Sequence, residues 1–206
     1  MVSIGTLAWK ILRRKLIVST SPYAVTDNTE LILMRDGLDL LLPKLAKALA
    51  NLRRFALQWK DTATLGYTHY QPAQMITVGR RAAQWAQDLL MDLEDVEHVR
   101  KGLKFRGAQG TTGTQASFLE LFAGDGDKID LLNKMLCELT GFPSCYSVST
   151  QTYTRKVDLR VANALGALGA TVQRITTDIR HLANMVSSLY DHCSRLLGGS
   201  GCLGCI

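Results

Sequence analysis

Proline is scarce in this sequence, with four in 206 residues. So few helix breakers leave room for long helices. Cysteine is also sparse. Five cysteines form an odd set without framework spacing, which excludes a disulfide-built scaffold and fits a reducing, cytoplasmic setting. No apolar run reaches the roughly 18 residues of a membrane span, so no membrane partner is expected. The basic residues do not run together and no RNA- or DNA-binding motif occurs. The net charge of +6 therefore suits an anionic ligand without implying nucleic acid. Residues 1–21 contain no acidic residue. With no basic region ahead of the apolar run they make a poor secretory signal, although they could pass for an organelle transit segment. Metal-ligand patterns are weak: His192, Cys193, Cys202 and Cys205 offer a single Cys-x-x-Cys among glycines. Asp125 and Asp127 lack the spacing and the closing glutamate of a calcium loop. No metal and no cofactor is expected.

The composition is otherwise that of an ordinary globular chain, 47% apolar and 20% charged, and one domain is the simplest division. Residues 29–59 place Leu31, Met34, Leu38, Leu41, Leu45, Ala48, Leu52, Phe55 and Trp59 in alternating strides of three and four. That is the seam of a long bundle helix. Leu33, Leu40, Leu42 and Leu49 lie off the seam and predict burial on more than one side. Pro43 predicts a kink, and Asp27 or Asn28 a cap. A second long helix is expected over 73–102, with Val78, Ala82, Trp85, Leu89, Leu93, Val96 and Val99 inside and Asp88, Asp92, Glu94 and Asp95 on the wet face. His98 reads as solvated. Shorter helices are expected over 115–122 and 128–140, the latter ended by Gly141. A last long helix runs from Tyr153 to about Leu189, slim in the middle where Ala162, Gly166, Ala167, Gly169 and Ala170 gather. His181 reads as an ordinary helix residue.

Between the first two helices lies Thr64-Leu65-Gly66-Tyr67-Thr68-His69-Tyr70-Gln71-Pro72-Ala73-Gln74. It carries no formal charge and is rich in hydrogen-bonding groups. Gly66 and Pro72 punctuate it as a turn or tight loop. His69 is the one histidine outside a helical pattern or the C-terminal tail. An imidazole so placed can give or take a proton near neutral pH; equally, it can be a turn histidine satisfied by backbone carbonyls. The Gly107–Ser117 loop is also open to two readings. Its amides could hold an anion at a helix start, or its glycines could supply positive φ. It is not a Walker loop, since no Gly-Lys-Ser/Thr follows.

The run Thr68-His69-Tyr70-Gln71-Pro72-Ala73-Gln74 resembles the histidine motif of the fumarase/aspartase superfamily. With Thr64-Leu65-Gly66-Tyr67 ahead of it, it resembles the adenylosuccinate lyase family. Phe105-Arg106-Gly107 leading into Gly110–Phe118, and then Gln151–Asp158, follow in the family's order. The similarity extends from about residue 20 to about 185. It implies an all-α, long-helix bundle, a partial central domain of the fumarase/aspartase-type fold. On this reading 1–19 is a divergent N-terminal segment, 20–186 a partial helical lyase domain and 187–206 a divergent, disordered tail.

The implied chemistry is β-elimination of fumarate from adenylosuccinate or from the succinyl-carboxamide purine precursor, without a cofactor. His69 matches the family's general acid, and Thr68 beside it a substrate ligand. Gln151 matches the glutamine that binds substrate, while Thr20 and Ser21 match a pair that contacts carboxylate or phosphate oxygens. Arg155 and Lys156 could add positive potential or be plain surface charges. The family assembles each site from three subunits of a homotetramer, so a homo-oligomer is implied, with a small purine nucleotide as partner. The family's base is a serine in the pattern Ser-Ser-x-Met-Pro-x-Lys-x-Asn. That pattern is absent here; Ser187-Ser188-Leu189-Tyr190 begins like it and diverges. The expectation is a truncated lyase, inactive alone. The alternative is a non-catalytic helical oligomerisation fragment or splice product. A lyase of the same superfamily with another fumarate-yielding substrate is a third reading.

Overall fold

The computed structural model describes residues 22–184. Thr20, Ser21 and the 187–206 tail, with its zinc and linker readings, lie outside the described residues. The element order is α1 (Pro22–Gln58), β1 (Ala63–Thr68), β2 (Gln71–Thr77), α2 (Val78–Gly102), α3 (Ala116–Leu121), α4 (Gly126–Thr140) and α5 (Lys156–Asn184). The long-helix architecture stands, and a small antiparallel hairpin is added to it.

The helix seams are those of the pattern. Leu31, Leu38 and Leu45 of α1, Val78, Ala82, Trp85, Leu89 and Val96 of α2, and Val157, Val161, Ala164 and Leu182 of α5 are buried. Pro43 lies inside α1 and does not end it. Three expectations need correction. Leu33 and Leu40 are 64% and 68% exposed, so α1 buries one face within this chain. Asp27 and Asn28 lie within α1 rather than capping it. Asp92 is 5% exposed rather than on the wet face, because it continues the stripe between Leu89 and Val96 in steps of three and four. Asp125 caps α4 by accepting from the Lys128 N–H, and Gly141 closes that helix in the left-handed conformation.

The chain divides into two compact units. One comprises residues 22–39 and 99–161, with Ala108, Phe118, Ile129 and Leu132 as a core cluster. The other comprises residues 40–98 and 162–184, with Val78, Ala82, Trp85 and Leu182 packed against Leu52, Phe55, Trp59, Ile175 and Ile179. Among the described residues no helix is long and apolar enough to cross a membrane.

Candidate active site

His69 stands at the tip of the hairpin. Strands β1 and β2 pair antiparallel from Ala63↔Thr77 to Thr68↔Gln71, with an irregularity between Leu65 and Tyr67. Gly66 allows that irregularity: a side-chain carbon there would lie 2.9 Å from the Gln74 carbonyl oxygen. The turn residues are His69 and Tyr70, with φ of 52° and 59°. Two successive positive φ values are the mark of the tight hairpin turn that usually takes Asn-Gly. Imposing it on two bulky residues costs roughly 1–3 kcal/mol each, and strain of this kind gathers at functional sites. The loop expected around His69 is thus a strained hairpin, and α2 begins at Val78 because residues 71–77 form a strand.

The hairpin forms one wall of a cleft of about 860 Å³ within this unit. Gly66, Tyr67, Thr68, His69, Tyr70 and Gln74 line it from the hairpin, Arg81 from α2, and Asp178, His181 and Leu182 from α5. Arg81 donates to the Leu65 carbonyl at 2.8 Å and so ties β1 to α2. The Trp85 indole N–H donates to Asp178 Oδ2 at 2.9 Å, holding that carboxylate on the core side of the cleft. The Tyr70 and His181 rings meet edge to face, 5.6 Å apart at 75°. His181, expected as an ordinary helix residue, therefore supports the turn that presents His69. The cleft brings a proton carrier, a guanidinium, a carboxylate and hydroxyls around one opening. That set can bind an anionic ligand and deliver a proton to it.

Gln151 belongs to the other unit. It is half-buried in the segment that leads into α5, which starts at Lys156 and not at Tyr153. The segment is pinned on both sides. The Tyr153 N–H donates to the buried Asp27 carboxylate at 2.9 Å, and the Thr150 carbonyl accepts from Arg106 at 3.0 Å. The Tyr153 hydroxyl donates to Asp158 at 2.6 Å. Burial first, then that bond, pushes the Tyr153 phenol upward. Arg155 pairs with Asp27 and Glu30, both at 3.2 Å, so it cross-links this network. Gly107, Gly110 and Gly113 all have φ near +80°, and α3 has only six residues. The glycines of this loop supply backbone freedom. Among the described residues no cluster of three or more His, Cys, Asp or Glu could hold a metal ion.

A family profile described as "Lyase" matches residues 20–191. The chain belongs to this lyase family. It is similar to adenylosuccinate lyase from Schizosaccharomyces pombe, 52% identical over 161 residues, which covers 78% of this chain and 33% of that protein. The corresponding figures for adenylosuccinate lyase from Saccharomyces cerevisiae are 48%, 78% and 33%. The chain thus spans about a third of the length of these curated relatives. The crystal structure of 3-carboxy-cis,cis-muconate lactonizing enzyme from Pseudomonas putida matches with a TM-score of 0.69 and 22% identity. It covers 80% of this chain and 36% of that one, a likeness of fold.

Proposed function

We propose that residues 20–186 are the partial helical domain of a lyase that eliminates fumarate from adenylosuccinate or its succinyl-carboxamide analogue, in a cytoplasmic homo-oligomer. His69 is the general acid: its imidazolium gives a proton to the departing nitrogen as the carbon–nitrogen bond breaks. The proton beside the carboxylate goes to a separate base. Thr68, next in the hairpin, binds substrate. Gln151 offers its amide to the ligand with two donors and an acceptor, and Thr20 and Ser21 bind carboxylate or phosphate oxygens. The observation that carries the reading is the strained His69–Tyr70 turn beside a cleft. The similarity to two adenylosuccinate lyases supports the choice of substrate. In a full-length counterpart carrying these residues, His69→Gln lowers turnover by at least ~100-fold, as loss of a positioned acid does. Near-normal turnover would return His69 to a structural role, and a raised KM with unchanged kcat would make it a binding residue only.

The second reading, a non-catalytic oligomerisation fragment, draws on the exposed apolar side chains of α1 and α5, among them Leu33, Leu40, Leu159 and Leu165. Purified chain on a sizing column with light scattering is expected to run as an oligomer and to release no fumarate from adenylosuccinate. A clean monomer would count against association through these faces, and fumarate release at a normal rate would exclude the non-catalytic reading.

A further inference from the structure

We infer that Arg106 is the positioning residue for Gln151, tying the glycine loop to the segment that carries it. The inference rests on the reading of Gln151 as a substrate ligand. Arg106 is 0% exposed. Its Nη2 donates to two carbonyls at 3.0 Å each, Gly110 in the glycine loop and Thr150 immediately before Gln151. Nη1 reaches the Gly107 carbonyl at 3.4 Å. Nε has no partner among the described residues, so the hold on both segments passes through the two terminal nitrogens.

The bond to Thr150 matters because its carbonyl belongs to the Thr150–Gln151 peptide. Fixing that carbonyl fixes the plane from which Gln151 departs. Two residues further on, the Tyr153 N–H is held by Asp27, so Gln151 lies between two backbone anchors. Gly113 closes the arrangement. A side-chain carbon on it would lie 1.9 Å from the Ser149 carbonyl oxygen, so the two segments meet backbone to backbone. No Arg106 hydrogen bond to a carboxylate occurs among the described residues; Asp27 acts on it only through its field, and burial lowers the guanidinium's basicity. A charge buried to serve carbonyls alone is organising backbone. A planar guanidinium can direct hydrogens at two loops at once, whereas a lysine ammonium on the same site loses that fork.

The test uses Arg106→Lys, which keeps the charge, in a full-length counterpart assayed with adenylosuccinate. KM is expected to rise about ten-fold with kcat within about three-fold. Combining it with Gln151→Ala should add no further rise, since the two changes remove one interaction. In the present chain, hydrogen exchange should quicken at least ~10-fold at residues 110–115 and 149–153 together, with α2 unchanged. Multiplying KM effects in the double variant, or quickening in the glycine loop alone, would overturn the role of Arg106. An unchanged KM for Gln151→Ala by itself would overturn the reading of Gln151 first, and with it the purpose assigned to Arg106.

Discussion

Gly79 sits in the first turn of α2, directly after the hairpin, and the sign of its substitution can be worked out from its neighbours. Alanine in place of glycine inside a helix ordinarily gains about 1 kcal/mol. At Gly79 the new carbon would lie 2.3 Å from the Ala56 carbonyl oxygen and 2.8 Å and 2.9 Å from Cα and N of Lys60. Ordinary contacts begin near ~3.5 Å, so the backbone must part by roughly 1 Å, and none of these atoms ends a flexible side chain. Overpacking of this kind costs about 1–3 kcal/mol. The parting also stretches the bonds from the Gly79 N–H to the Trp59 carbonyl and from the Val78 N–H to the Thr62 carbonyl, both 2.9 Å. Each is worth about 1 kcal/mol. Gly79→Ala is therefore expected to lose about 2–4 kcal/mol in all. For a chain of this size that lowers Tm by roughly 4–16 °C. Melting followed by far-ultraviolet circular dichroism measures it, with Gly166→Ala and Gly169→Ala as controls, since no neighbouring atom lies within 4 Å of a carbon added there. The controls should hold Tm or raise it. If Gly79→Ala melts at or above the parent, the close approach of α1 and α2 at this point is wrong, and so is the placement of the hairpin that follows from it.

Two further predictions concern titratable groups. Burial, followed by the contact with the Cys137 thiol 3.4 Å away, pushes the Cys145 thiol up to about 12. At pH 8 its thiolate is then roughly a thousand-fold rarer than that of an ordinary cysteine. Alkylation by iodoacetamide, read by mass spectrometry, should be slower by about that factor than for free cysteine, and comparable rates would mean that the thiol is open to solvent. The Arg100 guanidinium donates to Asp39 at 2.5 and 2.8 Å and holds its carboxyl below the usual range. A depressed folded value stabilises at pH above the unfolded value near ~4 and is lost as pH falls through the folded one. Asp39→Asn should therefore cost under about 1 kcal/mol near neutrality, since the pair is partly exposed at the surface, and nothing at the acid end. A cost that persists in acid would assign it to packing.

The helices were legible because one physical rule writes them: an apolar side chain every three or four residues. Val78, Ala82, Trp85 and Leu89 follow it and are buried. Asp92 follows it too, and reading charge ahead of position placed it in water. The strands were hidden by competing signals. Gly66 and Pro72 were read as punctuation, yet Gly66 serves a cross-strand approach and Pro72 pairs with Tyr67. The slack in α5 was visible as small residues, but what covers a slim face is not written in the face itself. Gly166 and Gly169 have no neighbour within 4 Å of an added carbon, so their smallness makes no close contact among the described residues.

His69 could be singled out because it departs from the helical pattern around it. The company it keeps could not be singled out, because it is contributed by elements distant in sequence. Asp178 and His181 lie more than a hundred residues on, flanking the partly buried Ile175 and Ile179 and the buried Leu182, and their spacing of three puts both beside one face of α5. That spacing was a usable signal once the face was known to be occupied. The left-handed turn is a different case. His-Tyr is not a sequence that asks for two positive φ values, so local preference argues against the conformation that the surroundings impose. Arg81 on the Leu65 carbonyl and His181 against the Tyr70 ring supply that imposition. Replacing Tyr70 by glycine would relieve that residue's share of the strain and also remove its ring contact with His181. The two effects oppose each other, so Tm followed by circular dichroism should move by only a few degrees while the presentation of His69 loosens; a large fall would mean that the ring contact, not the strain, dominates the turn.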